Sequence, residues 1–348
     1  MRAPQRGGRY NPVMVTASDA PSPVKKPRRW LKWLLRIVIA LITLLIVLVF
    51  GVVPYLLGGL ASHAGTRPMD RAQTNTPADF GLKYQDVTFP AADGVTISAW
   101  FIPSSGKNAT IVYSHGLFRS RRELLARAAD LCHLGYGAVL YDARNHGLSG
   151  KAKTSLGYFE RFDVEGAINY LRDTVHSTDR IVLLGVSMGA VADLMAAAET
   201  PGISAIVSDS SFLSFDNTVV HHVGLFLHMP AFPFAYEVEF FISRRAGFDG
   251  DLLSPLNAVK KIDCPIMFIA GQNDPRMPPT IARQLYDASP NPKRDLLIVD
   301  GPETKVHGHS YIADPRLYIT KVSQFLDSAL ASSLSTDSGR RKGLRSLL

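Results

Sequence analysis

The stretch RIVLLGVSMGA (residues 180–190) places a Gly-x-Ser-x-Gly turn between an apolar run and a segment of small residues. The run predicts a strand and the small residues predict a helix, so Ser187 lies at a strand-to-helix turn. Such a turn strains the serine backbone, and residues larger than Gly185 and Gly189 would collide with the neighbouring strand or helix. The pattern predicts an exposed nucleophile at a helix N-terminus, where the helix dipole favours a developing anion. A plain glycine-rich turn is the alternative interpretation.

A serine hydroxyl is a weak nucleophile that needs a base, and the base needs an acid that orients it. After such a turn the expected chain order is Ser, acid, His. Asp274 follows the apolar run Ile266–Ala270 through a short turn that contains glycine, and His307 lies on the loop after Leu296–Val299. We therefore expect Ser187, Asp274 and His307 to be the nucleophile, the acid and the base.

Each of these two partners has a rival in the sequence. Asp209, just after another apolar run, is the rival acid, and its other interpretation is a residue that anchors a turn or the cap. His309 is the rival base; we place His307 first, because both cannot serve. The remaining histidines considered are interpreted as structural or surface residues: His115, His133, His146, His176, His221, His222 and His228.

The oxyanion formed when serine attacks a carbonyl needs N–H donors held in place beforehand. The N–H of Met188, directly after the nucleophile, is one candidate. The other is expected from the loop after the apolar run Thr110–Ser114, and we choose the N–H of Leu117, whose side chain is incidental. This chemistry needs neither a metal nor an organic cofactor, and we expect none.

Strand-like and helical patterns alternate over most of the chain, which predicts an α/β domain at residues 82–330 with a mostly parallel sheet covered by helices on both faces. Tyr84–Phe89 and Val95–Ile102 form a predicted hairpin that precedes the alternation. Helical patterns fall at residues 120–134, 159–175, 188–199, 278–289 and 315–330. In such a sheet, ligands bind at the carboxyl ends of the strands.

One stretch, residues 211–257, interrupts the alternation and is rich in aromatic residues. It predicts a helical cap over the ends of the strands. The alternative is an ordinary loop and helix of the main layer.

The run IVIALITLLIVLVFGVVPYLLGGL (residues 37–60) has no charged residue and is long enough to cross a bilayer as one helix. We predict a transmembrane helix at residues 34–60. A buried core helix and a cleaved signal peptide are the alternatives, but the run is longer than the usual apolar segment of a signal peptide. Positive charge before the run favours an N-terminus inside the cell and a catalytic domain outside.

Charge and composition at the two ends predict disordered tails. Residues 1–36 contain nine Lys and Arg and one acid, so this segment carries the whole net charge of +8. A nucleic-acid-binding protein would carry such a surplus on its folded domain, so we expect no nucleic-acid partner.

We predict a basic cytoplasmic tail at 1–33, a polar linker at 61–81 and a second tail at 331–348. Cys132 and Cys264 are expected to be packing thiols.

With these motifs collected, residues 84–330 resemble the α/β-hydrolase superfamily. The similarity is strongest to bacterial membrane-anchored members with a serine-aminopeptidase-like domain and to eukaryotic membrane-anchored lipid hydrolases. The matching segments are Tyr113–Gly116, Tyr141–Gly150, Gly185–Gly189, Pro265–Asp274 and His307–Tyr311.

The resemblance implies an α/β-hydrolase fold with a small helical cap, and it selects His307, because the catalytic histidine of similar sequences lies three residues before a Ser-Tyr pair. It also implies that Asp142 and Arg144 are structural. Asn145 stands where the family usually has glycine, with little expected consequence, since Asn tolerates positive φ.

The first hypothesis is therefore a membrane-anchored serine hydrolase that cleaves carboxylic esters through an acyl-enzyme, with a small-molecule or lipid-like acyl substrate. A peptidase or thioesterase would use the same residues, and an acidic pocket for a substrate amine would favour the peptidase. A non-catalytic, membrane-tethered binding protein of the same fold is the alternative from another class.

Overall fold

A computed structural model of the chain describes residues 7–9 and 29–345, with side chains described up to residue 331. Apart from residues 7–9 and 29–33, the predicted N-terminal tail lies outside the described residues. The described chain divides into two compact units, one ending at Val47 and the other beginning at Leu48.

Eight strands form one sheet in the described residues, in the order β1-β2-β4-β3-β5-β6-β7-β8. Strands β1 and β2 pair antiparallel, as do β2 and β4, and every other neighbouring pair is parallel. This confirms the mostly parallel sheet that follows a hairpin. The strands are β1 (Gln85–Pro90), β2 (Thr96–Ile102), β3 (Ala109–Ser114), β4 (Gly137–Tyr141), β5 (Arg180–Val186), β6 (Ile203–Asp209), β7 (Ile266–Gly271) and β8 (Asp295–Val299).

Helices lie between most strands, as the alternating pattern predicts. In the described part of the chain they are α1 (Arg29–Val47), α2 (Val53–Ser62), α3 (Pro68–Arg71), α4 (Leu125–His133), α5 (Glu160–Asn169), α6 (Met188–Ala197), α7 (Phe215–Leu227), α8 (Tyr236–Ala246), α9 (Pro255–Val259), α10 (Pro279–Ala288), α11 (Ser310–Ala313) and α12 (Pro315–Arg345). Short π or 3₁₀ turns occupy Leu48–Val52, Pro77–Phe80, Arg121–Leu124, Tyr170–Thr174, Ala231–Ala235, Gly250–Leu252 and Pro302–Lys305.

Side chains of the central strands alternate between two apolar layers. In β5, Leu183 belongs to the layer that α5 and α6 cover, whereas Val182 and Leu184 belong to the layer that α4 and α12 cover. A strand that is buried on both faces needs apolar side chains at every position. This explains why the strands read in the sequence as continuous apolar runs.

The segment between β6 and β7 forms the helices α7, α8 and α9. Phe215 and Phe234 are buried against the core, while Phe232, Tyr236 and Phe240 remain largely exposed. The aromatic residues of this helical insertion therefore divide into a packed set and an exposed set.

The apolar N-terminal segment is helical over Arg29–Ser62, with a mean hydropathy of 3.1 in its most apolar window. By length and composition it is the one helix of the described residues that can cross a membrane. No residue of α1 is buried, as expected of a helix whose surroundings are lipid.

Helix α2, the last part of this segment, packs against α8 at backbone distance. A Cβ added to Gly58 would lie 2.7 Å from the carbonyl carbon of Phe241. Beside this contact the rings of Tyr55 and Phe241 meet edge to face, with centroids 5.7 Å apart, and the Arg245 guanidinium lies 4.3 Å from the Tyr55 ring centroid. The end of the predicted membrane helix is therefore part of the larger unit, which begins at Leu48.

Residues predicted to form a polar linker, 61–81, pack on the domain. Ala64 and Asp70 are buried; the Ala64 N–H donates to Thr154 and Asp70 pairs with Arg119 at 3.2 Å. The second predicted tail is helical as far as Arg345, because it continues α12 and contains Ala, Leu, Lys and Arg, which have high helix propensity. Residues 346–348 lie outside the described part.

We expect Gly58→Ala to lower the free energy of unfolding by about 1–3 kcal/mol, because the added methyl group forces α2 away from α8. Gly51→Ala is the matched control, since nothing lies within 4 Å of a Cβ added there. Denaturant unfolding of the detergent-solubilised protein measures both variants. Equal effects of the two substitutions would contradict the tight α2–α8 contact.

Candidate active site

Ser187 lies between β5 and α6 with φ 55° and ψ −120°, a left-handed conformation that costs a non-glycine residue about 1–3 kcal/mol. The two flanking glycines make the turn fit. A Cβ on Gly189 would lie 1.9 Å from the carbonyl oxygen of Ser114, and one on Gly185 would lie 2.5 Å from the Ala190 nitrogen. Only glycine lets the helix approach the neighbouring strand this closely, so the turn is held from both sides.

His307 and Asp274 form a direct hydrogen bond, with 2.7 Å between Nδ1 and Oδ2. The other carboxylate oxygen accepts from the backbone N–H groups of Arg276 at 2.8 Å and Met277 at 3.1 Å. Burial alone would raise the pKa of Asp274, but the bond from His307 and these backbone N–H groups outweigh it and hold that pKa below its usual value. Asp274 is thus a carboxylate at neutral pH. Neutral His307 then carries its proton on Nδ1 and leaves Nε2 as an acceptor.

The Nε2 atom of His307 is buried and has no hydrogen-bond partner among the described residues, the Ser187 hydroxyl included. The loop that carries the imidazole nevertheless packs beside the nucleophile turn. A Cβ on Gly308 would lie 3.0 Å from Cγ1 of Val186, the residue before Ser187. The structure therefore brings the two loops together, with an unoccupied acceptor nitrogen at the site.

Asp209, the rival acid, is committed to another interaction. It forms a buried ion pair with Arg127 at 3.3 Å and accepts hydrogen bonds from Ser210 and Ser310 at 2.9 and 3.1 Å. His309, the rival base, is the N-cap residue of α11, and its Nδ1 has no partner among the described residues. The structure thus pairs His307 with Asp274 and pairs Asp209 with Arg127.

The loop after β3 presents one free amide next to Ser187. The N–H of Gly116 donates to Glu123 at 2.7 Å and that of Phe118 donates to Nε2 of His146 at 3.2 Å, while no described residue accepts from Leu117. The loop backbone is close to the nucleophile, because a Cβ on Gly116 would lie 3.6 Å from that of Ser187. Met188 supplies the first amide of α6 on the other side.

Two of the histidines interpreted from the sequence as structural or surface residues, His115 and His146, are buried and hold this loop in place. Nε2 of His115 accepts from the Ala143 N–H at 2.9 Å, and the rings of His115 and His146 meet edge to face at 5.1 Å. Burial lowers the pKa of His146 to about 3, so it is neutral and can accept the Phe118 amide. The sequence feature that accompanies this role is a pair of His-Gly dipeptides, one after β3 and one in the loop after β4.

A cavity of about 280 Å³ opens beside Ser187. Its walls are mostly apolar. They include the loop after β3, the nucleophile turn, the cap helices α7 and α8, the loop after β7, and helix α2, which contributes Leu57, Leu60 and Ala61. Two hollows of similar volume, about 320 and 310 Å³, contain none of the site residues. Volume alone does not single out the site, but contact with Ser187 does.

Comparisons with known proteins agree with this fold. Residues 105–235 match the family model described as serine aminopeptidase, S33. A Bacillus subtilis protein, the uncharacterized protein YqkD, is 29% identical over 69% of this chain and 78% of its own. The Arabidopsis thaliana α/β hydrolase domain-containing protein WAV2 is 25% identical over 76% and 85%. The solved structure of the Pyrococcus furiosus esterase Pf2001 has 26% identity and a TM-score of 0.63, and the match covers 76% of this chain and 98% of that one.

The chain has the α/β-hydrolase fold. The motif after β4 that resembles the family has structural roles in this fold. Asp142 forms a buried ion pair with Arg121 at 3.0 Å, and Arg144 pairs with Asp163 at 2.8 Å and with Asp93 at 2.7 Å. Next to them, φ of Asn145 is 63°, so Asn adopts the positive φ for which the family usually has glycine.

We expect Asp209→Ala to lower the free energy of unfolding of the protein by about 3–5 kcal/mol, because it leaves Arg127 buried without its carboxylate. Asp327→Ala is the control: that carboxylate pairs with Lys107 but is half exposed, and its loss should cost less than about 1 kcal/mol. Chemical denaturation of the two variants checks this. A destabilisation of Asp209→Ala no larger than that of the control would contradict the structural role.

Proposed function

We propose that this hydrolase is a membrane-anchored serine esterase that cleaves carboxylic esters through an acyl-enzyme at Ser187. The observation that carries the proposal is the bond between His307 and Asp274. It orients an imidazole whose second nitrogen is free, on a loop that packs beside the nucleophile turn. Ligand binding without catalysis does not require a strained serine next to an oriented base, so this arrangement favours an enzyme over a binding protein.

In the proposed mechanism, Oγ of Ser187 attacks the ester carbonyl carbon and His307 Nε2 takes the hydroxyl proton. Asp274 stabilises the imidazolium that forms, and the N–H groups of Leu117 and Met188 donate to the oxyanion. His307 then protonates the leaving alcohol as the C–O bond breaks. Water attacks the acyl-enzyme by the same route and releases the acid. The Ser187 hydroxyl must turn toward Nε2, and such bonds often tighten only when substrate is bound.

Two observations favour an ester with an apolar acyl group over a peptide. The cavity beside Ser187 is lined mainly by aliphatic and aromatic side chains, and none of its described lining residues is Asp or Glu, so nothing there would bind a substrate amine. The Pyrococcus furiosus structure, similar over most of the domain, is that of an esterase. A thioester would fit the same cavity.

The apolar run that the sequence predicts to cross the membrane also supplies a wall of the cavity. Leu57 and Leu60 belong to that run and line the site. Together with the exposed Phe226, which also lines the cavity, they make an apolar rim suited to a lipid-like acyl chain. We propose that the basic N-terminus is cytoplasmic and the catalytic domain is on the outer side.

Fluorophosphonate labelling of the full-length protein should be abolished in Ser187→Ala, because only the activated serine reacts. Hydrolysis of p-nitrophenyl butyrate should fall by roughly 10⁴–10⁶ in kcat for Ser187→Ala and His307→Ala. His309→Ala is the matched control and should keep activity within about tenfold. Labelling that persists in Ser187→Ala, or a larger loss in His309→Ala than in His307→Ala, would refute the assignment.

Leu57→Trp should shift the preferred p-nitrophenyl ester to a shorter acyl chain, because the indole fills part of the cavity. Leu56→Trp is the control on the same helix: Leu56 is 61% exposed and does not line the cavity. The ratio of kcat/KM for octanoate over butyrate should fall by about tenfold in the first variant and stay unchanged in the second. Identical ratios in both variants would mean that α2 does not contact the acyl chain.

A further inference from the structure

One cation lines the mostly apolar cavity beside Ser187 in the described part of the chain. It is Arg276, on the loop after β7 and two residues from Asp274. Its Nε donates to Nε2 of His222, with 3.3 Å between them, and its guanidinium lies 5.9 Å from the Phe226 ring centroid. Nδ1 of His222 bonds the Thr218 carbonyl at 2.7 Å, so Nε2 is the acceptor. Both planar groups are thereby held in position.

No negative charge in the described protein is paired with this guanidinium. No described Asp or Glu oxygen lies within 4.0 Å of its nitrogens. His222 is neutral, because burial lowers its pKa to about 4. The Asp274 oxygens accept from His307 and from two backbone amides, and Glu123 is engaged by the Gly116 amide and by Arg119 at 3.2 Å.

The three most deeply buried arginines of the described residues are arranged differently. Arg121, Arg127 and Arg144 each have a carboxylate within 3.3 Å, as expected from the cost of burying an unpaired charge. Arg276 is half-buried, and this burial lowers its pKa, yet it lines the cavity without a carboxylate of the described residues as an ion-pair partner. An anion in the cavity would complete the pair.

We propose that Arg276 binds an anionic group of the substrate, a carboxylate or a phosphate, so that the enzyme prefers acyl esters that carry a negative charge close to the scissile bond. This rests on the proposed ester hydrolysis and narrows its substrate class. The two terminal nitrogens of a guanidinium match the oxygens of either anion. The acyl chain would lie against Leu57 and Leu60, and His222 would hold the guanidinium toward the anion.

The test uses two pairs of esters that differ only by an anionic group, assayed with the full-length protein in neutral detergent. Monoolein and oleoyl lysophosphatidate differ by a phosphate on the alcohol. The mono-p-nitrophenyl ester of adipic acid and p-nitrophenyl hexanoate differ by a carboxylate on the acyl chain. The variants are Arg276→Gln, Arg276→Lys and, as a control, Arg283→Gln, which removes an exposed arginine of α10.

The wild type should prefer the charged member of at least one pair, and that pair shows which side of the ester carries the anion. Arg276→Gln should lower kcat/KM for that substrate by about 10- to 100-fold and leave its neutral counterpart within about threefold. Arg276→Lys should retain part of the preference, and Arg283→Gln all of it.

Three outcomes overturn the proposal. Equal loss on neutral and charged esters in Arg276→Gln would mean that Arg276 acts only through Asp274 or the fold. Unchanged kcat/KM of Arg276→Gln on all four esters would mean that Arg276 does not contact the substrate. A wild type that prefers neither charged ester would mean that the site does not bind an anion. Failure of the proposed function is separate, because the wild type would then hydrolyse neither the neutral nor the charged esters.

Discussion

The close approach of α6 to the end of β3 is the constraint on which the site depends. Because nothing larger than glycine fits at Gly189 against the Ser114 carbonyl, the chain must turn sharply at Ser187 and accept a left-handed backbone there. The same contact places the loop after Ser114 beside the nucleophile, with the Leu117 amide unused. One steric requirement thus positions both the serine and a candidate oxyanion donor. The packing of the surrounding sheet offsets the cost of the strained Ser187 backbone.

A second constraint concerns charge. The three most deeply buried arginines of the described residues each have a carboxylate that belongs to the scaffold: Arg121 with Asp142, Arg127 with Asp209, and Arg144 with Asp163. Around the cavity the pattern changes. Asp274 is held as a carboxylate that faces His307, and Arg276 faces apolar walls. An arginine without a carboxylate partner next to an oriented imidazole and carboxylate is typical of functional sites.

Much of the fold was readable from the sequence, because strands buried on both faces are continuous apolar runs and the nucleophile turn has an obligatory glycine pattern. The pairing of His307 with Asp274 followed from chain order and the resemblance to α/β hydrolases. Other features depend on tertiary contacts that no local pattern encodes. The packing of α2 on α8, the docking of residues 61–81 and the cavity wall at Leu57 were of this kind. The contact between His222 and Arg276 was likewise missed, because it forms only through the packing of the cap helices over the ends of the strands.

The account depends most on the claim that Nε2 of His307 serves Ser187, and a crystal structure of the protein inhibited by a fluorophosphonate tests it most directly. We expect the phosphorus bonded to Oγ of Ser187, one phosphonyl oxygen accepting from the Leu117 and Met188 amides, and His307 Nε2 about 3 Å from an oxygen on phosphorus. An adduct whose phosphonyl oxygen lies away from both amides, with the imidazole turned from the phosphorus, would contradict it.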